Sequence, residues 1–126
     1  MNPSTILYVE DNEYNRKIVR QLLARTSYRL IEAVDGEAGV EAARRELPQL
    51  ILMDVQLPKM SGLDATRLLR ADAATQHIPI VIITSFALSG DRERAAEAGA
   101  NAYLAKPYSP RELLALVQQI LPEAAP

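Results

Sequence analysis

Short apolar runs recur along the chain, and between them apolar residues return at helical spacing. The runs Ile6–Val9, Arg29–Ala33, Leu50–Met53, Ile80–Ile83 and Ala102–Leu104 are rich in Ile, Val and Leu and predict strands. The intervening stretches predict helices. Ile18, Leu22 and Leu23 mark the first, Val40 and Ala43 the second, and Leu63, Leu68 and Leu69 the third; Ala95, Ala96 and Ala98 mark the fourth, and Leu113, Leu114, Val117, Ile120 and Leu121 the fifth. Helix punctuation agrees. Ser109-Pro110-Arg111-Glu112 offers a capping serine, a proline at the first helical position and a glutamate at the third. Asp35 can cap the second helix and Gly99 can end the fourth. Five β-then-α units predict an α/β fold with a parallel sheet covered by helices on both faces. Right-handed crossovers leave few ways to wind it.

That architecture limits where chemistry can sit, because ligands of open α/β sheets bind outside the carboxyl ends of the strands. Glu10 and Asp11 follow the first run, Asp54 the third, Thr84 and Ser85 the fourth, and Lys106 and Pro107 the fifth. Asp54 breaks the stretch "LILMDVQLP", where a strand apolar on both faces meets a carboxylate. A buried, unpaired carboxylate is costly, so Asp54 is expected at the open strand end, charged and available. Taken alone it reads as a turn former near Pro58; the other polar groups in register change that reading. Two unit charges about 4 Å apart repel by roughly 4 kcal/mol at an effective dielectric of 20, so three carboxylates there must protonate or attract cations. Oxygen ligands without histidine or cysteine suit Mg²⁺, and Lys106 supplies a fixed positive charge. Mg²⁺, a lysine and a hydroxyl are the groups that stabilise a transferring phosphoryl group. Asp54 could then act as nucleophile and form an aspartyl phosphate.

Composition narrows the field. The 126 residues suit one domain with one core, and 48% apolar with 24% charged residues is an ordinary globular profile. A formal net charge of −2 gives no general attraction to nucleic acid or anionic membrane. There is no cysteine, which excludes disulfides and thiol chemistry and fits a cytoplasmic protein. No run approaches the roughly 18 apolar residues of a membrane span.

The stretches "ILYVEDN", "LILMDVQLPKMSG", "PIVIITSFA" and "AYLAKPYSP", in this order and spacing, resemble the receiver domain of two-component response regulators. The resemblance covers about residues 5–121, with residues 1–126 expected to form one receiver domain. It implies a flavodoxin-like (βα)₅ fold with strand order 2-1-3-4-5. It implies that Asp54 is the phosphoacceptor, that Glu10, Asp11, Asp54 and the backbone carbonyl of Gln56 hold Mg²⁺, and that Thr84, Lys106 and the Ser85 backbone contact the phosphoryl oxygens. Thr84 and Tyr103 match the switch positions, and the Lys106-Pro107 peptide is expected to be cis. Glu10-Asp11 is a common variant of the family's Asp-Asp pair. Phe86 is a bulky apolar neighbour that could alter how water reaches the acyl phosphate.

The expected partners are a histidine kinase or histidine phosphotransfer protein and a downstream protein target. His77, the lone histidine, reads as a surface residue, so the donor histidine must come from elsewhere. Asn15 reads either as helix surface or as lining the site. Glu10-Asp11-Asn12 can cap the first helix as well as hold a cation. The expectation is a non-enzymatic regulator, with neither nucleic acid nor membrane as partner. The chain ends soon after the fifth helix, which resembles the chemotaxis and cell-cycle single-domain regulators, while "VEDNEYNRK" resembles receivers of hybrid kinases. A receiver-like interaction domain without phosphorylation is a further alternative. A phosphatase of the haloacid dehalogenase type is disfavoured because Gln56 stands where that family places its acid. A dinucleotide site is disfavoured because no glycine-rich loop follows the first strand.

Overall fold

Continuous apolar runs give β1, β3 and β4 two buried faces, and the helices cover both. The computed structural model describes residues 4–85 and 91–122. The elements are β1 (Thr5–Val9), α1 (Glu13–Leu23), β2 (Arg29–Ala33), α2 (Gly36–Glu46), β3 (Leu50–Asp54), α3 (Gly62–Ala71), β4 (Ile80–Thr84), α4 (Asp91–Ala98), β5 (Ala102–Ala105) and α5 (Pro110–Ile120). The strands are all parallel in the order β2-β1-β3-β4-β5, the flavodoxin-like doubly wound arrangement.

Strand parity sorts the core into two layers. Leu7, Val9, Ile51, Met53, Ile80 and Ile82 pack with Val40 and Ala43 of α2, Leu69 of α3 and Ala95 of α4. Ile6, Tyr8, Leu50, Leu52, Val81 and Ile83 pack with Val19 and Leu23 of α1 and with Leu113 and Val117 of α5. β1 and β3 are buried along their whole length, as central strands of a parallel sheet should be. Leu68, grouped above with the apolar face of α3, instead points outward and is 41% exposed; Leu63 and Leu69 carry that face.

The helix ends follow their capping residues. Asn12, Asp35, Ser61 and Ser109 each accept a backbone N–H of the first turn, and Ser109 with Glu112 forms a reciprocal capping box. Gly99, at φ 108°, ends α4 in a conformation open to glycine. Arg70 of α3 secures that turn by donating to the Gly99 carbonyl at 2.8 Å and to the Asn101 side chain at 2.6 Å.

β3, β4 and β5 each run one residue further at their carboxyl ends than the apolar pattern indicates, and β1 begins one residue earlier. Asp54 stays in the ladder opposite Ile83, and Thr84 opposite Ala105. Neighbouring strands supply backbone partners there: Val55 N–H donates to the Ile83 carbonyl at 3.1 Å and Lys106 N–H to the Thr84 carbonyl at 2.7 Å. Directly behind Asp54 the chain turns back, and Gly62 presses its α-carbon onto the Asp54 carbonyl. A β-carbon on Gly62 would lie 1.9 Å from that oxygen. Gly62→Ala should therefore push the start of α3 away from β3 and cost on the order of 2–3 kcal/mol. Urea unfolding should show a lowered midpoint with an unchanged slope.

Candidate functional site

The parity that sorts the core also sorts the polar strand-end residues. Tyr8 and Glu10 on the first strand's line, Asp54 on the third and Lys106 on the fifth share the parity of the α1/α5 layer. Thr84 and Tyr103 share that of the opposite layer, where Tyr103 packs. The charged groups thus converge on one side of the sheet edge. Lys106 Nζ donates to Glu10 Oε1 at 2.9 Å and to Asp54 Oδ2 at 3.4 Å. One carboxylate oxygen from each of Glu10, Asp11 and Asp54 lies within 4.8 Å of the others. Glu10 and Asp54 are buried, whereas Asp11 is exposed at the mouth of the site.

Asp54 is more enclosed than an open strand end suggests, with only 5% of its surface exposed. The reason is its place inside the β3 ladder, under the β3–α3 connection. Burial, and then the neighbouring Glu10 carboxylate, push its pKa up to about 6, against the opposing pull of Lys106. Glu10 goes the other way. Burial alone would raise it, but hydrogen bonds from Lys106 and from the Asn12 N–H hold it below the ordinary range. Burial works against the charge on Lys106, and the two carboxylates outweigh it, so its pKa is raised. Lys106 and Glu10 therefore form the firmly ionised pair, and Asp54 carries the excess negative charge.

The remaining residues singled out in the sequence occupy distinct places. Gln56 is exposed just beyond Asp54; its N–H points to Asp54 Oδ1 at 3.4 Å, and its side chain meets Ser85 Oγ at 3.5 Å. Thr84 is buried. Tyr103 is half-buried, with the Arg92 guanidinium 5.2 Å from its ring centroid. The Lys106-Pro107 peptide is cis. Asn15 reaches the site, donating to Glu10 Oε1 at 3.3 Å. His77 is exposed in the turn before β4, at the opposite, amino end of the sheet. Phe86 lies outside the described residues.

Two neighbours were not visible as site residues in the sequence. Tyr8 sits in the apolar run of β1 and reads there as core, yet its hydroxyl approaches Glu10 Oε1 at 3.3 Å. Its spacing of two from Glu10, which puts both on one face of the strand, is the signal that could have found it. Arg16 donates to the Glu10 carbonyl at 2.8 Å and fixes the turn between β1 and α1; nothing in its local sequence marks that contact.

A parallel five-stranded sheet with a lysine and three carboxylates at its carboxyl edge defines a class of protein, and comparison with known proteins agrees. The family model of the response regulator receiver domain matches residues 6–118, and the chain belongs to that family of two-component signalling. It is similar to the polar-differentiation response regulator DivK of Brucella anthropi, at 39% identity over 122 residues, covering 97% of this chain and 99% of that protein. Among solved structures it is similar to the receiver domain of the sensor histidine kinase PA1611 from Pseudomonas aeruginosa. The two are 40% identical with a TM-score of 0.85, over 93% of this chain and 96% of that one, and that structure holds a magnesium ion in its active-site cleft. The Vibrio cholerae chemotaxis protein CheY4 is 26% identical, with a TM-score of 0.88 over 94% of this chain and 99% of that one. Among the described residues no helix is long and apolar enough to cross a membrane.

The charge balance has a measurable consequence. Asp54 holds its proton more tightly in the folded state, at about 6 against an ordinary 3.8, so the folded protein binds more protons between those values. Asp54's contribution to metal-free stability is then greatest below about pH 4 and is lost as pH rises through about 6. The difference corresponds to roughly 3 kcal/mol. Asp54→Asn, which keeps the shape and removes the charge, should be more stable than the native protein by about 2 kcal/mol near pH 7.5, with the gap closing toward pH 4. Urea titrations across this range in chelator would check it.

Proposed function

We propose that the whole chain is one receiver domain that accepts a phosphoryl group on Asp54 from a histidine kinase or histidine phosphotransfer protein. Signalling would then pass to a downstream protein target. The observation that carries this reading is the contact of one lysine with both Asp54 and Glu10, beside the exposed Asp11. The one histidine of these 126 residues lies at the far end of the sheet, so the phosphohistidine donor lies outside them. A cleft of about 480 Å³, lined by Asn15, Ile18, Lys106 and Tyr108 among others, opens beside the site between α1 and the β5–α5 connection.

The donor set fits Mg²⁺. It consists of hard carboxylate oxygens within 4.8 Å of one another, with no nitrogen or sulfur ligand, and it carries more negative charge than Lys106 offsets. Glu10, Asp11 and Asp54 would hold the ion, with the Gln56 carbonyl as a further ligand. When bound, it supplies positive charge that keeps Asp54 ionised and neutralises the phosphoryl oxygens. In the transfer, an Asp54 carboxylate oxygen attacks phosphorus and the P–N bond to the donor imidazole breaks. The nitrogen keeps the electron pair and is protonated from solvent. Lys106, the Thr84 hydroxyl and the Ser85 backbone bind the phosphoryl oxygens. Thr84 then draws inward and Tyr103 follows into the space it leaves, repacking the surface of α4, β5 and α5. This is a cytoplasmic signalling role and not an enzymatic one.

Incubation with Mg²⁺ and acetyl phosphate should add one phosphoryl group to the intact mass. Asp54→Ala should add none while remaining folded, and chelator should abolish labelling of the native protein. Labelling of Asp54→Ala to the native level would reject the assignment. Beryllofluoride should shift the amide resonances of α4 and β5 as well as those around Asp54; shifts confined to the Asp54 pocket would count against output through that surface.

A further inference from the structure

Glu10 is held by more than its lysine. Oε1 accepts from Lys106 Nζ at 2.9 Å and, by two longer contacts, from the Tyr8 hydroxyl and Asn15 Nδ2 at 3.3 Å each. Oε2 accepts from the Asn12 N–H at 3.2 Å. One oxygen is therefore crowded with donors on the protein side, while the other keeps lone-pair capacity for a cation.

Tyr8 is fully buried within the layer of Val19, Leu52, Ile83 and Val117. Phenylalanine would fill that space without burying a hydroxyl, and a buried hydroxyl must be satisfied. The groups that meet it are Glu10 and the phenol of Tyr108, which packs beside it at the edge of the same layer. Tyr8 satisfies its hydroxyl by donating to the Glu10 carboxylate.

We propose that Tyr8, together with Asn15, is a positioning residue that holds Glu10 in its cation-facing orientation independently of Lys106. The proposal rests on the reading of the site as a Mg²⁺-dependent receiver. The physical case is a division of labour among donors. Lys106 contacts Glu10 and Asp54 together, so it is the donor that leaves Glu10 when phosphoryl oxygens arrive at Asp54. Tyr8 and Asn15 are anchored on β1 and α1 and do not follow it. They are also neutral. They fix the carboxylate without adding positive charge that would repel a divalent ion, which Lys106 cannot do.

Mg²⁺ titrations followed by amide chemical shifts, on the native protein, Tyr8→Phe, Glu10→Ala and the double variant, test this. Tyr8→Phe should raise the Mg²⁺ Kd roughly ten-fold, the scale on which outer-shell partners act. In the Glu10→Ala background the same substitution should change nothing, because Tyr8 acts through Glu10. Asn15→Ala, which leaves the core intact, should raise the Kd in the same direction and should likewise have no effect once Glu10 is gone. It carries the test if Tyr8→Phe does not fold. A native Kd in Tyr8→Phe or Asn15→Ala would overturn the proposal, as would an equal loss in both backgrounds, which marks a merely structural role. A native protein that binds no Mg²⁺ would overturn the metal reading itself, a distinct result.

Discussion

One lysine holds the carboxyl edge of the sheet together electrically. Lys106, entering from the end of β5, is shared between carboxylates that belong to β1 and β3. Without it, two buried negative charges would face each other across adjacent strands, at a cost that few local contacts could offset. With it, charge is still unbalanced, and the imbalance falls on Asp54. The site is therefore electrostatically unfinished by construction. A cation or a positively charged partner completes it, and that incompleteness is what makes an acidic side chain inside a strand chemically useful.

The geometry that brings these residues together is topological. β1 lies between β2 and β3, so the turn after β1, which carries Glu10 and Asp11, stands directly beside the end of β3. β4 separates β3 from β5, and the length of the lysine side chain spans that gap. The turn itself is fixed by ordinary means: Asn12 caps α1 and Arg16 grips the Glu10 carbonyl. Gly62 lets the β3–α3 connection fold back onto Asp54. None of these devices is unusual alone. Their combined effect is to enclose Asp54 while leaving Asp11 open to solvent.

Much of this was legible in the chain. The strands announce themselves as short Ile/Val/Leu runs, and β2, although only partly buried, was found because Leu30 and Ile31 stand in such a run. Ser109, Asp35 and Gly99 marked helix ends because capping is a local property. The acidic and basic residues at the strand ends were legible because strand-end position plus charge is itself a signal. What was not legible depends on the third dimension. The burial of Asp54 requires knowing that β3 pairs one residue further and that α3 folds back over it. The outward turn of Leu68 depends on how α3 is rotated against the sheet. Tyr8 was hidden by its surroundings, because a tyrosine among Ile, Leu and Val looks like packing until its hydroxyl is traced to Glu10.

The sheet is also a partition. Charge chemistry lies in the α1/α5 layer, whereas Thr84 and Tyr103 belong to the layer of α2, α3 and α4. The two compartments meet only where β4 and β5 end. A substitution in one layer can therefore alter the charged pocket, and one in the other the packing around Thr84 and Tyr103, with little interference between them. A scaffold arranged this way can vary the packing on one side of the sheet while its charged edge stays intact.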